Sequence, residues 1–159
     1  MKLYIKQKVF SWRDKFAVKD ERGADRWFAQ GEFLSWGRKL RVYDVSGYEA
    51  AFIRQKIMSW LPRYFIDIGN NTYAMKKEFT FLLPKFSVAG LPWQLSGNFW
   101  AHEYEIRDGA SLIMQMSKHW FTWGDSYELD IPNPKNELLC LCIALTIDCM
   151  QADSSESKS

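Results

Sequence analysis

One stretch constrains the fold of this 159-residue chain more than any other: residues 137–150, ELLCLCIALTIDCM. The preceding IPNPKNE offers two helix starts, Asn133 capping a helix that opens on Pro134 or Asn136 capping one that opens on Glu137. In either case Glu137 stands near the positive end of the helix dipole. At 1.5 Å per residue the run is about 21 Å long, against a hydrocarbon core of about 30 Å. Asp148 lies near one end and no basic cluster flanks the run, so a free-standing membrane span is not expected. A helix apolar on nearly every face has to be enclosed by protein. A strand over LCLCIALTI is the alternative, because periodicity alone does not separate the two in short apolar runs.

The rest of the chain supplies strands to do the enclosing. Leu3, Ile5 and Val9 alternate with Lys2, Lys6 and Lys8, the pattern of a half-buried strand. Turn residues then recur: DERG at 20–23, Asp44 to Gly47, Gly69-Asn70-Asn71 and Asp108-Gly109, each between two runs of strand character. Gly23, Gly47 and Asn70 fall 24 and 23 residues apart, about two strands and two connections, which predicts a meander of hairpins and not a βαβ alternation. Further breaks are expected at Ser35-Trp36-Gly37, Pro62, Pro84, 89–92, Ser96-Gly97 and Gly124-Asp125. Roughly ten to twelve strands are enough for a barrel wider than the eight that side chains alone can fill. The expected fold is therefore all-β with one helix: a closed or nearly closed antiparallel barrel around a buried C-terminal hydrophobic helix. Residues 1–151 form the domain, and 152–159, polar and apolar-poor, are expected to be a disordered tail.

Aromatic residues make up 16% of the chain, with 8 Trp, 11 Phe and 7 Tyr, bulk that suits a packed β-rich interior. Cys140, Cys142 and Cys149 all sit in the apolar run, where their odd number and spacing fit neither a disulfide framework nor a zinc site. They are expected to be reduced core residues of a cytoplasmic protein. The N-terminal residues show no apolar h-region, so no secretory signal is expected. The net charge of +2 is uneven: residues 1–85 hold 17 Lys and Arg against 9 Asp and Glu, residues 86–159 hold 4 against 10. A pI near 8.4 falls short of the electrostatic footprint of a nucleic-acid binder.

No motif of nucleophilic catalysis, phosphate-loop chemistry or metal ligation is present, and no cofactor is expected. His102 and His119 lie among aromatics in predicted strands, where a packed, hydrogen-bonded role is the simpler reading than that of a catalytic base. The basic groups are the stronger candidates. GRKLR at 37–41 and RQK at 54–56 flank the Asp44–Gly47 turn and so should be hairpin partners, gathering Arg38, Lys39, Arg41, Arg54 and Lys56 on or near one outer face. Clustered cations suit a phosphorylated head group or an anionic leaflet. Solvation and protection of strand edges is the plainer role for the same residues.

Three segments together point to a family. YIKQKVFSWRDKFAVKDERG (4–23), GEFLSWGRKLRVYDVSGYEAAFIRQKIMSWLPRY (31–64) and ELLCLCIALTID (137–148) resemble the LURP-one-related family, which is grouped with the tubby C-terminal domain and the phospholipid scramblases. The resemblance covers about residues 1–150. It implies an antiparallel barrel of about twelve strands around a central C-terminal helix. For function it implies a non-enzymatic cytoplasmic module, peripheral at the inner membrane surface, that binds anionic phospholipid or phosphoinositide head groups. The alternatives are a protein-interaction or structural domain without a small ligand, and an enzyme or scramblase-like activity. Against scrambling, the chain lacks a proline-rich N-terminal segment, a cysteine cluster suited to palmitoylation and an acidic calcium loop.

Overall fold

The computed structural model describes the backbone of residues 1–6, 15–32, 36–78, 80, 84–121 and 124–156, and the side chains of all of these except 120, 121, 124, 125, 155 and 156. Among the described residues twelve strands precede one long helix. They are β1 (Lys2–Lys6), β2 (Phe16–Lys19), β3 (Asp25–Gly31), β4 (Lys39–Asp44), β5 (Glu49–Gln55) and β6 (Arg63–Ile68). Then follow β7 (Asn71–Glu78), β8 (Lys85–Val88), β9 (Trp93–Asn98), β10 (Glu103–Asp108), β11 (Ser111–Phe121) and β12 (Gly124–Asp130). A 3-10 turn, Pro134–Asn136, leads into α1 (Glu137–Glu156).

All the pairings are antiparallel, in the order β8-β7-β6-β5-β4-β3-β2-β1-β12-β11-β10-β9. The sheet thus curls until its two edges, the consecutive strands β8 and β9, come together at a seam, giving a nearly closed barrel. Alternation sorts each strand into an inner and an outer face. Leu3 and Ile5 of β1, Leu40 and Val42 of β4, Ala51 and Ile53 of β5, and Tyr64 and Ile66 of β6 are buried. Lys39, Arg41, Phe52 and Arg54 point outward between them. The continuation of the β1 pattern to Lys8 and Val9 lies outside the described residues.

The helix fills the interior. Cys140 through Leu145, with Ile147, Cys149 and Met150, are buried on every side, which explains why the run shows no polar face. Helix, not strand, is therefore the state of LCLCIALTI. Both predicted starts are used in succession: Asn133 caps the 3-10 turn, its Oδ1 accepting from the Lys135 backbone N–H at 3.1 Å, and α1 proper begins at Glu137.

Three features differ from expectation. The helix runs through 152–156, part of the segment expected to be a disordered tail, where Asp153 and Ser154 find partners on the strands around them. The expected break at Ser96-Gly97 falls inside β9: Gly97 lies opposite Tyr104 at φ +130°, and a Cβ there would sit 2.5 Å from the Glu103 carbonyl oxygen. His102 is not in a strand but in the turn between β9 and β10, at φ +56°.

Antiparallel order places successive connections at alternate ends of the barrel. One end holds the turns 20–24, 45–48, 69–70, 89–92 and 109–110, and is called here the tight-turn end. The other is where β3, β5 and β9 give way to the next strand, with described residues 32, 36–38, 56–62 and 99–102, and is called the long-loop end. The helix enters at the first and finishes at the second.

Candidate functional site

At the tight-turn end the helix start is clamped. Glu137, buried, accepts from Arg26 Nε at 2.8 Å and Nη2 at 2.9 Å, and from Trp27 Nε1 at 2.8 Å. The hydrogen bond from Arg26 to Glu137 raises the guanidinium's pKa above its ordinary value. A carboxylate at a helix N-terminus is also favoured by the dipole.

At the long-loop end two more carboxylates of the helix are held by the wall. Asp153 accepts from Arg38 Nε, from Gln55 Nε2 at 3.0 Å and from the Tyr64 hydroxyl at 2.7 Å. Burial, and the neighbouring Asp153 carboxylate, push the Tyr64 phenol far above its ordinary range, so it stays a donor. One turn inward, Asp148 Oδ1 meets His102 Nε2 at 2.8 Å, while Oδ2 has no hydrogen-bond partner among the described residues. Desolvation raises the Asp148 pKa, and the hydrogen bond from His102 opposes that shift. The His102 ring also stacks on Tyr127, with centroids 4.0 Å apart. His102 is thus committed to an internal contact, and the positive φ of its turn aims the ring at the helix. His119, on β11, packs edge-on to Tyr4 with its Nε2 3.6 Å from Glu128. The three cysteines are free and buried. Desolvation pushes Cys140 up to about 12 and raises Cys142 and Cys149 as well, which leaves all three poor nucleophiles.

The five hairpin cations come together only in part. β4 and β5 do pair, with Lys39 opposite Arg54 and Arg41 opposite Phe52. On the outer face Arg41 is held by Glu32 at 2.6 Å and Glu49 at 2.8 Å, and lies over the Phe52 ring. Arg54 donates to Asp67 at 2.9 Å and lies over Phe65. Lys39 is 4.0 Å from Glu32. Arg38 turns inward to Asp153. Lys56, by contrast, is exposed at the mouth of the long-loop end and has no ion pair among the described residues; Arg63, across the connection from it, is half-buried and has none there either. The outer face with its ion pairs is unlike the apolar band that a membrane-spanning barrel presents to lipid. Among the described residues no helix is long and apolar enough to cross a membrane, and no group of His, Cys, Asp and Glu is placed to hold a metal.

Sequence reasoning missed the surroundings of Lys56. Trp36 is 84% exposed, Met58 97% and Trp60 102%, and Ile57 and Trp100 are also exposed. These side chains belong to three connections of the same end. Gly37 is tied to Ile57, whose Cγ1 lies 3.3 Å from the position a Gly37 Cβ would take. The Arg38 and Gln55 backbones are bonded at 2.8 Å, Lys77 N donates to the Pro62 carbonyl at 3.1 Å, and Lys77 Nζ lies 5.8 Å from the Trp100 ring centroid. Met58 adopts φ +59°, a conformation costly for a side chain with a Cβ, although burial of that side chain gives nothing back.

Barrel order, seam and threaded helix together define the class: a twelve-stranded antiparallel barrel built around a C-terminal helix. A search of solved structures finds the same fold in an X-ray structure of a protein from Arabidopsis thaliana, with a TM-score of 0.61 and 15% identity over 92% of this chain and 89% of that one. The family model for LURP-one-related proteins matches residues 1–148, and the chain belongs to that family. It is 40% identical over 149 residues to the uncharacterized protein YxjI of Bacillus subtilis (strain 168), covering 93% of this chain and 92% of that protein.

Proposed function

We propose that the protein is a non-enzymatic binding module that docks on anionic phospholipid from the cytoplasmic side, through cations of the β4–β5 hairpin and its long-loop end. The observation that supports this reading most is Lys56. It is an exposed ammonium with no ion pair among the described residues, beside Ile57, Met58 and Trp60, and residues 36–38, 56–62 and 99–102 contain no Asp or Glu. Each basic residue close to an anionic leaflet contributes about 1 kcal/mol, so Lys56 and Arg63 are the pair with most to give. Arg38, Lys39, Arg41 and Arg54 are already engaged by carboxylates and would add to the field more than to direct contact. The absence of catalysis in this reading rests on the commitment of His102 to Asp148 and on the burial of the cysteine thiols.

Co-sedimentation with phosphatidylcholine vesicles, with and without phosphatidylserine or a phosphoinositide, tests the proposal at low and physiological salt. Binding should need the anionic lipid, weaken with salt and fall by at least about thirtyfold in a Lys56→Glu, Arg63→Glu variant, since loss of the two attractions alone removes about 2 kcal/mol and the reversal adds repulsion. Binding that ignores lipid charge and salt would contradict it.

A further inference from the structure

The long-loop end holds a pattern that the charge argument does not use. An apolar residue followed by Ser-Trp occurs at 10–12, 34–36 and 58–60, with a basic residue three positions after each Trp: Lys15, Lys39 and Arg63. The spacing of 24 equals one turn of the meander, out along one strand and back along the next. Trp36 precedes β4 by the same three residues as Trp60 precedes β6, so the two stand at the same end, and both indoles are in solvent. The 10–12 copy lies outside the described residues and is not part of the site.

We propose that Trp36, Ile57, Met58, Trp60 and Trp100 form a bilayer-inserting rim, so that the barrel stands end-on to the membrane with its strands roughly along the bilayer normal. This rests on the reading of the protein as a lipid-surface module and adds how it is seated. The occupant is a bilayer interface because of the chemistry around the rim. Indoles belong at the boundary of headgroup and acyl chain, and the cations between them, Lys56 and Arg63, belong at headgroup level. Residues 36–38, 56–62 and 99–102, which carry the rim, contain no carboxylate to be desolvated on insertion, and Glu32 at the start of the β3–β4 connection is held by Arg41. A bilayer also accepts side chains that share one end of a barrel without forming a groove. Strain at Met58 fits the same use: the turn holds an unbranched apolar side chain outward at φ +59° where a glycine would be easier to accommodate. Lys77 under the Trp100 ring, itself donating to Ser154 Oγ at 2.8 Å, links the rim to the end of the helix.

The test measures partition of the full chain into phosphatidylcholine/phosphatidylserine vesicles, with tryptophan quenching by bromine-labelled acyl chains as a second readout. Replacing Trp36 and Trp60 by Ala should lower partition at least tenfold, the equivalent of about 1.4 kcal/mol, and remove most of the bromolipid quenching. Replacing Val45 and Tyr48, exposed apolar residues of the tight-turn end, should change neither. If the Trp variant binds as wild type and quenching is absent while the Lys56→Glu, Arg63→Glu variant loses binding, the rim is overturned and the anionic docking reading stands. If neither variant loses affinity, or the Val45, Tyr48 control loses as much, the end-on seating is overturned. No vesicle binding by wild type would overturn both readings. A dimer that depends on Trp36 and Trp60 in sedimentation velocity, without vesicle binding, would assign the rim to a second copy of the chain.

Discussion

The two ends of the barrel are closed by different chemistry. At the tight-turn end the chain reverses on Asp and Gly: Asp44 accepts from the Ser46 and Tyr48 backbone N–H groups at 2.8 and 3.0 Å, and Gly47 takes φ +86° with open space around it. The positive φ values of that end's described turns all fall on glycine. In the described connections of the long-loop end two of the three positive values fall on Met58 and His102, side chains that gain nothing locally from the conformation. One of these turns inward to hold the helix and the other projects into solvent. The first end is organised for folding. The second departs from local preference twice, and such departures concentrate where something besides folding is served.

The comparison can be broken most easily at the helix start. Glu137→Ala strips the acceptor from Arg26 and Trp27 and should cost about 2 kcal/mol, since Arg26 is half exposed and can rehydrate. That corresponds to a fall of about 4–8 °C in Tm, with vesicle binding of the folded protein unchanged.

At the opposite end Asp148 sets a pH dependence. Its folded pKa lies above the unfolded value of 3.8, so its favourable contribution is complete below that pH and is lost as pH rises through the folded value. Melting temperatures of wild type minus Asp148→Asn should therefore fall as pH rises from about 4. A difference that stays level with pH would contradict the burial assigned to this carboxyl.

Two reciprocal turn changes have smaller effects of opposite sign. Gly47→Ala forces a Cβ into the left-handed region and should lower stability by about 1 kcal/mol. Met58→Gly relieves the same strain and should raise stability by up to about 1 kcal/mol while weakening membrane partition. A Met58→Gly protein that is both less stable and equally membrane-active would remove the functional meaning of the strained turn. Smallest of all, Trp60→Ala should shift stability by no more than about 0.5 kcal/mol, because the indole is already in solvent.

Much of the fold was legible because local and global preferences agree. A helix apolar on all faces implies an enclosing wall, and Asp and Gly at regular spacing imply the hairpins that make it. What could not be read depended on partners distant in sequence. Asp153 stands in a polar segment that suggests solvation by composition, yet Arg38, Gln55 and Tyr64 converge on it from β5, β6 and the residue before β4. Arg38 itself looked like one more surface cation of the hairpin. The high aromatic content suggested a packed interior, and for Phe86, Phe99 and Tyr104 that holds. For Trp36 and Trp60 it does not, since nothing in composition distinguishes an indole that faces the core from one that faces away from it. Their shared motif and spacing were the available signal.

The central claim is that the two ends have separate tasks, and hydrogen–deuterium exchange with and without anionic vesicles tests it most directly. The account predicts added protection confined to 36–38, 56–62 and 99–102, with the turns at 45–48, 69–70 and 109–110 exchanging as in free protein. Protection centred on those tight turns, or spread evenly over the outer strands, would contradict it.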